Sequence, residues 1–164
     1  MNQNNFKPET CEHCGQTKTY ALAIDRGTTE ILKAIARFIG QKGINAVHPR
    51  KEMEGKFLTS NQVGNLSRPR LHGLIARIES GNYCLTTKGA NFLKGVVVPK
   101  VAIILKATGK SEKRNIGYYE PTELICQISD FTSDTERWEG INYTIEEGRI
   151  IREIGSSGQD NLSI

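Results

Sequence analysis

The 164-residue chain lacks any apolar run long enough to cross a membrane. Its longest purely apolar runs are residues 96–98 and 101–105, whereas a membrane span needs roughly 20 residues. The first twelve residues also lack the apolar segment of a signal peptide. Hydrophobic residues at 37% and charged residues at 24% are ordinary for a globular protein. We therefore expect a cytoplasmic protein of about one domain, with no membrane partner.

Familiar catalytic signatures are missing too. The chain contains no Gly-x-Ser-x-Gly, no P-loop, no His-Glu-x-x-His and no dinucleotide fingerprint. With three histidines, a pairing such as Cys84 with His72 is open, but no neighbouring residue marks it as catalytic. We expect a protein that is not an enzyme.

The net charge of +4 is modest, but it is unevenly distributed. Residues 26–120 hold 17 Lys/Arg and 6 Asp/Glu, whereas residues 121–164 hold 3 Lys/Arg and 9 Asp/Glu. A basic body of net +11 beside an acidic segment of net −6 predicts a polyanionic partner for the body. The alternative is an uneven surface with no specific partner.

Four cysteines in a chain without a secretion signal favour reduced thiols or a metal over disulfides. Cys11 and Cys14, followed by Gly15, have the spacing of half a zinc site. Cys84 and Cys126 lie in apolar contexts that favour buried, structural thiols. We expect either Zn²⁺ bound at Cys11 and Cys14, with the other ligands unassigned, or a metal-free knuckle of the same shape.

Helical periodicity is clearest from Thr28 onward, with Gly27 or Thr28 as N-cap and Lys42-Gly43 as the end. The polar face of this helix includes Lys33. The apolar stripe consists of Ile31, Ala34, Ile35, Phe38 and Ile39.

Two short helices follow. Residues 59–62 read as a capping box that opens the first. Pro69 suits the first position of the second, predicted over residues 69–78, with Arg70 and His72 off its apolar stripe. This spacing is the outline of a helix-turn-helix.

The rest of the chain predicts short strands and turns. A turn over residues 79–82 leads to a strand over 83–86 and a helix over 87–94, capped by Thr87 and closed by Gly95. Residues 20–24 predict a short strand or the segment that leads into the first helix, and residues 96–105 predict an edge strand or two short strands interrupted by Pro99. We also expect a return strand at 115–119, a brief helix at 120–128 and a hairpin of 141–145 with 149–154.

Three segments carry a family resemblance: Leu71-His-Gly-Leu-Ile75, Glu79-Ser-Gly-Asn-Tyr83 and Cys84-Leu-Thr-Thr-Lys-Gly89, followed by Phe92-Leu93. In this order they resemble winged-helix DNA-binding domains. The wider arrangement also looks like a group of small phage and prophage proteins. In this chain the matching elements are Cys11–Gly15 before the first helix, Arg26-Gly27 at its start, Ser80-Gly81, and Val98-Pro99-Lys100 after the wing junction. The bulky aromatics those proteins carry beside the recognition-helix glycine are replaced here by Arg70-Leu71-His72.

The resemblance implies an α+β fold with four parts. These are a leader with the Cys-x-x-Cys element over 1–25, a winged helix-turn-helix domain over 26–95, a small β-rich extension over 96–154 and a disordered tail over 155–164. The first element would be zinc-knuckle-like, and a homodimer through the extension is one option.

The resemblance also assigns a nucleic-acid surface. Arg68 and Arg70 would meet base edges or phosphates, Asn82 would sit at the wing tip, and Arg77, Lys88 and Lys94 would contact phosphates. The alternative is that Arg68 and Arg70 only solvate an exposed helix. We expect His72 to face solvent or a partner rather than to act as a ligand.

These inferences lead to two functional hypotheses. The first is a phage-encoded regulator of transcription, or a DNA-metabolism accessory factor, that binds double-stranded DNA in the bacterial host's cytoplasm. The alternative is an anti-defence or host-takeover effector that binds a host protein through anchors such as Trp138 or Tyr143. An enzyme would need a reactive thiol at Cys84 or Cys126.

Overall fold

The computed structural model describes residues 18–107, 112–118, 125–131, 143–146 and 149–152, together with Thr10 and Glu12. Within these ranges the chain is a mixed α+β protein with four α-helices and small antiparallel sheets. The Cys-x-x-Cys element, Trp138 and the predicted tail lie outside the described residues.

Helix α1 spans Arg26–Lys42 and is the centre of the main core. Its N-cap is Asp25, because that carboxylate accepts the Thr28 amide at 2.8 Å. The predicted N-cap at Gly27 or Thr28 is therefore wrong, but the end at Gly43 is confirmed, with a left-handed φ of 66°. Lys33 is only 2% exposed and pairs with Glu30 at 3.7 Å, so its predicted place on the polar face is wrong as well.

A single π-type turn, Pro49–Met53, connects α1 to two short helices. Helix α2 spans Ser60–Gly64, and its capping box between Thr59 and Gln62 is confirmed by reciprocal hydrogen bonds of 3.1 and 2.9 Å. Helix α3 spans Ser67–Leu71. It ends before Gly73, whose φ of 75° is left-handed and breaks the helical path.

The predicted helix over residues 69–78 is therefore wrong beyond Leu71. Residues Ile75–Arg77 form strand β2, which pairs in antiparallel fashion with β3, Tyr83–Leu85. Leu71, Leu74 and Ile75 are buried as the apolar pattern requires. They are not on one helix, however, because Leu71 ends α3 and Ile75 begins β2.

The turn between β2 and β3 is confirmed at Glu79–Gly81. Ser80 and Gly81 both have positive φ, 58° and 79°. Val47, between α1 and α2, bridges to Tyr83 through two backbone hydrogen bonds of 2.9 and 2.7 Å, which adds a third short segment to this hairpin.

Helix α4 spans Thr87–Leu93 and is confirmed, but its N-cap is Thr86, whose hydroxyl accepts the Gly89 amide at 2.9 Å. Gly95 closes it with a φ of 102°. Gly89 packs directly on the hairpin, since a Cβ there would lie 2.0 Å from the Leu74 carbonyl oxygen.

Three strands, β1 (Thr19–Ala23), β5 (Val101–Leu105) and β6 (Arg114–Tyr118), form an antiparallel sheet. Their order in the sheet is β1-β5-β6. One sheet face packs on α3 in a second core, formed by Leu22, Leu71, Ala102 and Ile104. The β1–β5 pairing joins the predicted leader to the predicted extension.

Two further strand pairs complete the described chain. Strand β4 (Val98–Pro99) pairs with β7 (Ile125–Cys126). A helix through this second segment was expected, so that prediction is wrong over the residues described. Strands β8 (Tyr143–Glu146) and β9 (Arg149–Arg152) pair as the predicted hairpin. Among the described residues, no helix has the length and apolar character of a membrane span.

Candidate nucleic-acid interface

Four of the six predicted contact residues gather around α3 and the start of α4. Arg68 and Arg70 lie on α3, whose end receives hydrogen bonds from Asn115 and Tyr118. Lys88 of α4 contacts Tyr118, and Arg77 of β2 contacts Glu112. These contacts join α3, β2 and α4 to one segment of the chain, residues 112–118. We call Arg68, Arg70, Arg77 and Lys88 the basic cluster.

Arg68 is ion-paired with the residue that caps α1. Its Nη2 lies 3.1 Å from Asp25 Oδ2, and the two side chains are 39% and 51% exposed. The other carboxylate oxygen, Asp25 Oδ1, accepts both the amide and the hydroxyl of Thr28, at 2.8 and 2.7 Å. Partial burial raises the pKa of Asp25, but the Thr28 hydrogen bonds and the Arg68 charge outweigh it and lower the pKa overall.

Arg77 is paired with a carboxylate that lies just before β6, 35 residues further along the chain. Its Nη2 lies 2.8 and 2.9 Å from the two oxygens of Glu112. This hydrogen-bonded contact raises the pKa of Arg77 and lowers the pKa of Glu112, which the charge of Arg70 lowers further. Arg70 itself forms no ion pair within the part of the chain that is described.

Lys88 lies against the aromatic face of the sheet. Its Nζ contacts the hydroxyl of Tyr118 and sits 4.3 Å from the centroid of that ring, a cation–π distance. The Tyr118 hydroxyl in turn donates to the His72 carbonyl oxygen at 3.4 Å. Nearby, the Asn115 side-chain amide donates to the Leu71 carbonyl at 2.9 Å. The end of α3 is therefore fixed to β6 by side chains.

His72 is fully buried, so its predicted position facing solvent or a partner is wrong. Neither ring nitrogen has a hydrogen-bond partner among the described residues. Burial is the main cause that lowers the pKa of His72 to about 4, and the charge of Lys88 lowers it further. The Leu22 backbone partly opposes this shift, and the charges of Arg68 and Asp25 have smaller, opposite effects. The imidazole is neutral at physiological pH and lies beneath the basic cluster.

The two remaining predicted residues lie elsewhere on the same unit. Asn82 closes the hairpin turn, where its side-chain amide donates to the Glu79 carbonyl at 3.1 Å. Gly81 in that turn packs on His48, since a Cβ there would lie 2.8 Å from the His48 Nε2. Lys94 is exposed at the C-terminal end of α4.

The described thiols are buried, as predicted for Cys84 and Cys126. Burial raises the pKa of each to about 11, which keeps both protonated at neutral pH. A protonated thiol is a poor nucleophile and a poor zinc ligand. No group of three His, Cys, Asp or Glu side chains suited to a metal occurs in the described ranges. Zinc at Cys11 and Cys14, which lie outside those ranges, stays a prediction.

Three residues of this surface were not anticipated: Asp25, Glu112 and Tyr118. One signal pointed to Glu112, since it is the only carboxylate between residues 80 and 119 and has Lys113 and Arg114 next to it. Comparisons with protein-family models, with curated proteins and with solved structures find no match for this chain.

Proposed function

We propose that the chain binds duplex DNA through the basic cluster, with residues 26–95 acting as a winged-helix unit. The observation that carries this proposal is that α3, β2 and α4, which bear these four cations, all contact the segment of residues 112–118. Neutralisation of phosphates by such side chains dominates protein–DNA affinity.

The order of elements supports the same proposal. Three helices precede a two-stranded hairpin, and Val47 bridges to that hairpin between α1 and α2. In a winged helix, the third helix enters the major groove and the hairpin turn forms the wing. Here α3 and the turn at Glu79–Gly81 would take those positions.

The length of α3 changes what kind of binding is expected. Five residues make little more than one turn, so α3 offers only Arg68 and Arg70 to a groove. Arg77 lies on a strand and Lys88 on the next helix. We expect mostly contacts to phosphates, which position a protein on DNA and carry little sequence information. A regulator or an accessory factor of phage DNA metabolism is the role that the sequence resemblance suggests.

The test is a salt titration of binding to random-sequence duplex DNA. The variant Arg68→Ala/Arg70→Ala should bind more weakly, and the slope of log affinity against log salt should fall by about 2. The control variant is Lys42→Ala/Lys56→Ala, which removes the same charge. Lys42 ends α1, a helix of about 25 Å, and the Phe57–Phe38 ring contact places Lys56 near that end. Equal losses in both variants, or no binding at low salt, would refute the proposal.

A second candidate, a protein-binding effector, is favoured by an exposed apolar patch. Val96, Val97 and Ile125 are 51%, 47% and 52% exposed, and the β4–β7 pairing brings Ile125 beside Pro99. Apolar anchors of this kind are typical of protein interfaces and depend weakly on salt. If the chain fails to bind DNA, a host-lysate pull-down comparing wild type with Val97→Ser/Ile125→Ser is the next test, and an unchanged set of captured proteins would exclude this patch.

A further inference from the structure

Two carboxylates already occupy arginines of the basic cluster. Asp25 precedes α1 and Glu112 precedes β6, so neither belongs to the α3–β3 segment that carries Arg68 and Arg77. Their partners lie 43 and 35 residues away in the sequence. The folding of the three-stranded sheet beside α3 therefore brings negative charge to a surface that is otherwise basic.

The contact between Arg77 and Glu112 occupies a guanidinium nitrogen that a phosphate could otherwise use. Both carboxylate oxygens lie close to Arg77 Nη2, at 2.8 and 2.9 Å, which is the usual range for charge-assisted hydrogen bonds. A DNA phosphate cannot take this nitrogen while the carboxylate holds it. If the carboxylate stays nearby, it repels the phosphate.

We propose that Glu112 and Asp25 compete with DNA phosphates for Arg77 and Arg68 and so limit the affinity of the interface. This inference rests on the proposed function. It makes the two carboxylates affinity-determining residues, one of which is supplied by the predicted C-terminal extension. DNA binding would exchange each internal ion pair for a contact with phosphate.

The expected effect is moderate because exposed ion pairs contribute little individually. Breaking either pair should raise DNA affinity roughly two- to fivefold. A freed arginine also adds a phosphate contact, so the salt slope should steepen by up to about 1 for each carboxylate neutralised. Asn at position 25 can still accept the Thr28 amide, so Asp25→Asn preserves the cap of α1.

The experiment uses the full chain and a fluorescent random-sequence duplex. Its variants are Glu112→Gln, Asp25→Asn, and the control Glu52→Gln. Glu52 is exposed and lies outside the proposed interface, and glutamine can still accept the His48 amide that this carboxylate accepts. All three variants remove one negative charge, so general electrostatics should raise affinity in each. Competition predicts a larger gain in affinity and a steeper salt slope for Glu112→Gln and Asp25→Asn than for Glu52→Gln.

A fourth comparison separates competition from charge alone. In an Arg77→Ala background, Glu112→Gln should raise DNA affinity no more than Glu52→Gln does, because the contested guanidinium is gone. If wild type binds DNA through Arg68 and Arg70 but Glu112→Gln and Glu52→Gln behave alike, this inference fails and the proposed function survives. If no variant binds at low salt, both fail together.

Discussion

The burial of His72 predicts that the protein loses stability at mildly acidic pH. The imidazole is fully buried, with the positive charges of Lys88 and Arg68 nearby and no partner for either ring nitrogen among the described residues. Its pKa is about 4 in the folded protein, against an ordinary 6.5 in the unfolded chain. Between these two values the unfolded chain takes up a proton that the folded protein does not.

Stability should therefore fall as the pH is lowered from 6.5 towards 4 and level off below that window. The full difference between the two pKa values corresponds to roughly 3 kcal/mol. By about pH 5, the expected loss relative to about pH 7.5 is about 2 kcal/mol. Asp25 and Glu112 do not produce this loss, because their lowered pKa values place their own losses at more acidic pH.

The measurement is urea unfolding of wild type and His72→Leu at both pH values, with circular dichroism as the signal that reports unfolding. Leucine removes the titrating group and two unpartnered buried nitrogens. Any change in packing affects the variant at both pH values, so the difference between the two pH dependences isolates the histidine. Parallel pH dependences, or an imidazole that titrates at about 6 or above by NMR, would show that burial does not hold this ring neutral.

Three more predictions concern glycines and the cysteine motif. Gly89→Ala should lower the free energy of unfolding by about 2 kcal/mol or more, because its Cβ would meet the Leu74 carbonyl oxygen. The control is Gly64→Ala, which has open space around it. Equal melting midpoints for the two variants would contradict the packing at Gly89. Gly81→Ala should displace the turn, since its φ is positive and His48 leaves no room; NMR shifts confined to position 81 itself would argue against this. The purified chain should contain zinc that is lost when Cys11 and Cys14 are both changed to serine; elemental analysis that finds no zinc in wild type excludes the site.

Local chemistry explains which elements could be predicted. The capping box at Thr59 and the left-handed end of α1 at Gly43 depend on residues within a few positions of each other. The turn before β3 likewise follows from Ser80 and Gly81. These local signals predict a cap or a turn without information about tertiary contacts with distant residues.

The error at α3 has a physical cause that the sequence also contained. Leu71, Leu74 and Ile75 fit a helical stripe, but they equally fit a short helix followed by a strand. Gly73 decides between them, because a left-handed residue there ends the helix and allows β2 to pair with β3. The spacing of apolar residues alone favours one long helix, because it does not register the left-handed backbone at Gly73.

The ion pairs of the basic cluster were out of reach for a different reason. Whether Arg77 is paired depends on the docking of β6, which brings Glu112 across 35 residues of sequence. The same strand also contacts the end of α3, since the Tyr118 hydroxyl donates to the His72 carbonyl oxygen. No periodicity or spacing within residues 59–95 contains this information.

The same dependence determines how the proposed interface is put together. Strand β1 pairs with β5, β5 pairs with β6, and the face of this sheet covers Leu71 at the end of α3. A fragment ending at residue 95 would leave β1 without its partner and uncover that apolar face. It would also lack Glu112, the ion-pair partner of Arg77. Under the proposed function, such a fragment should therefore bind DNA with a different affinity from the full chain, so the extension belongs to the proposed interface.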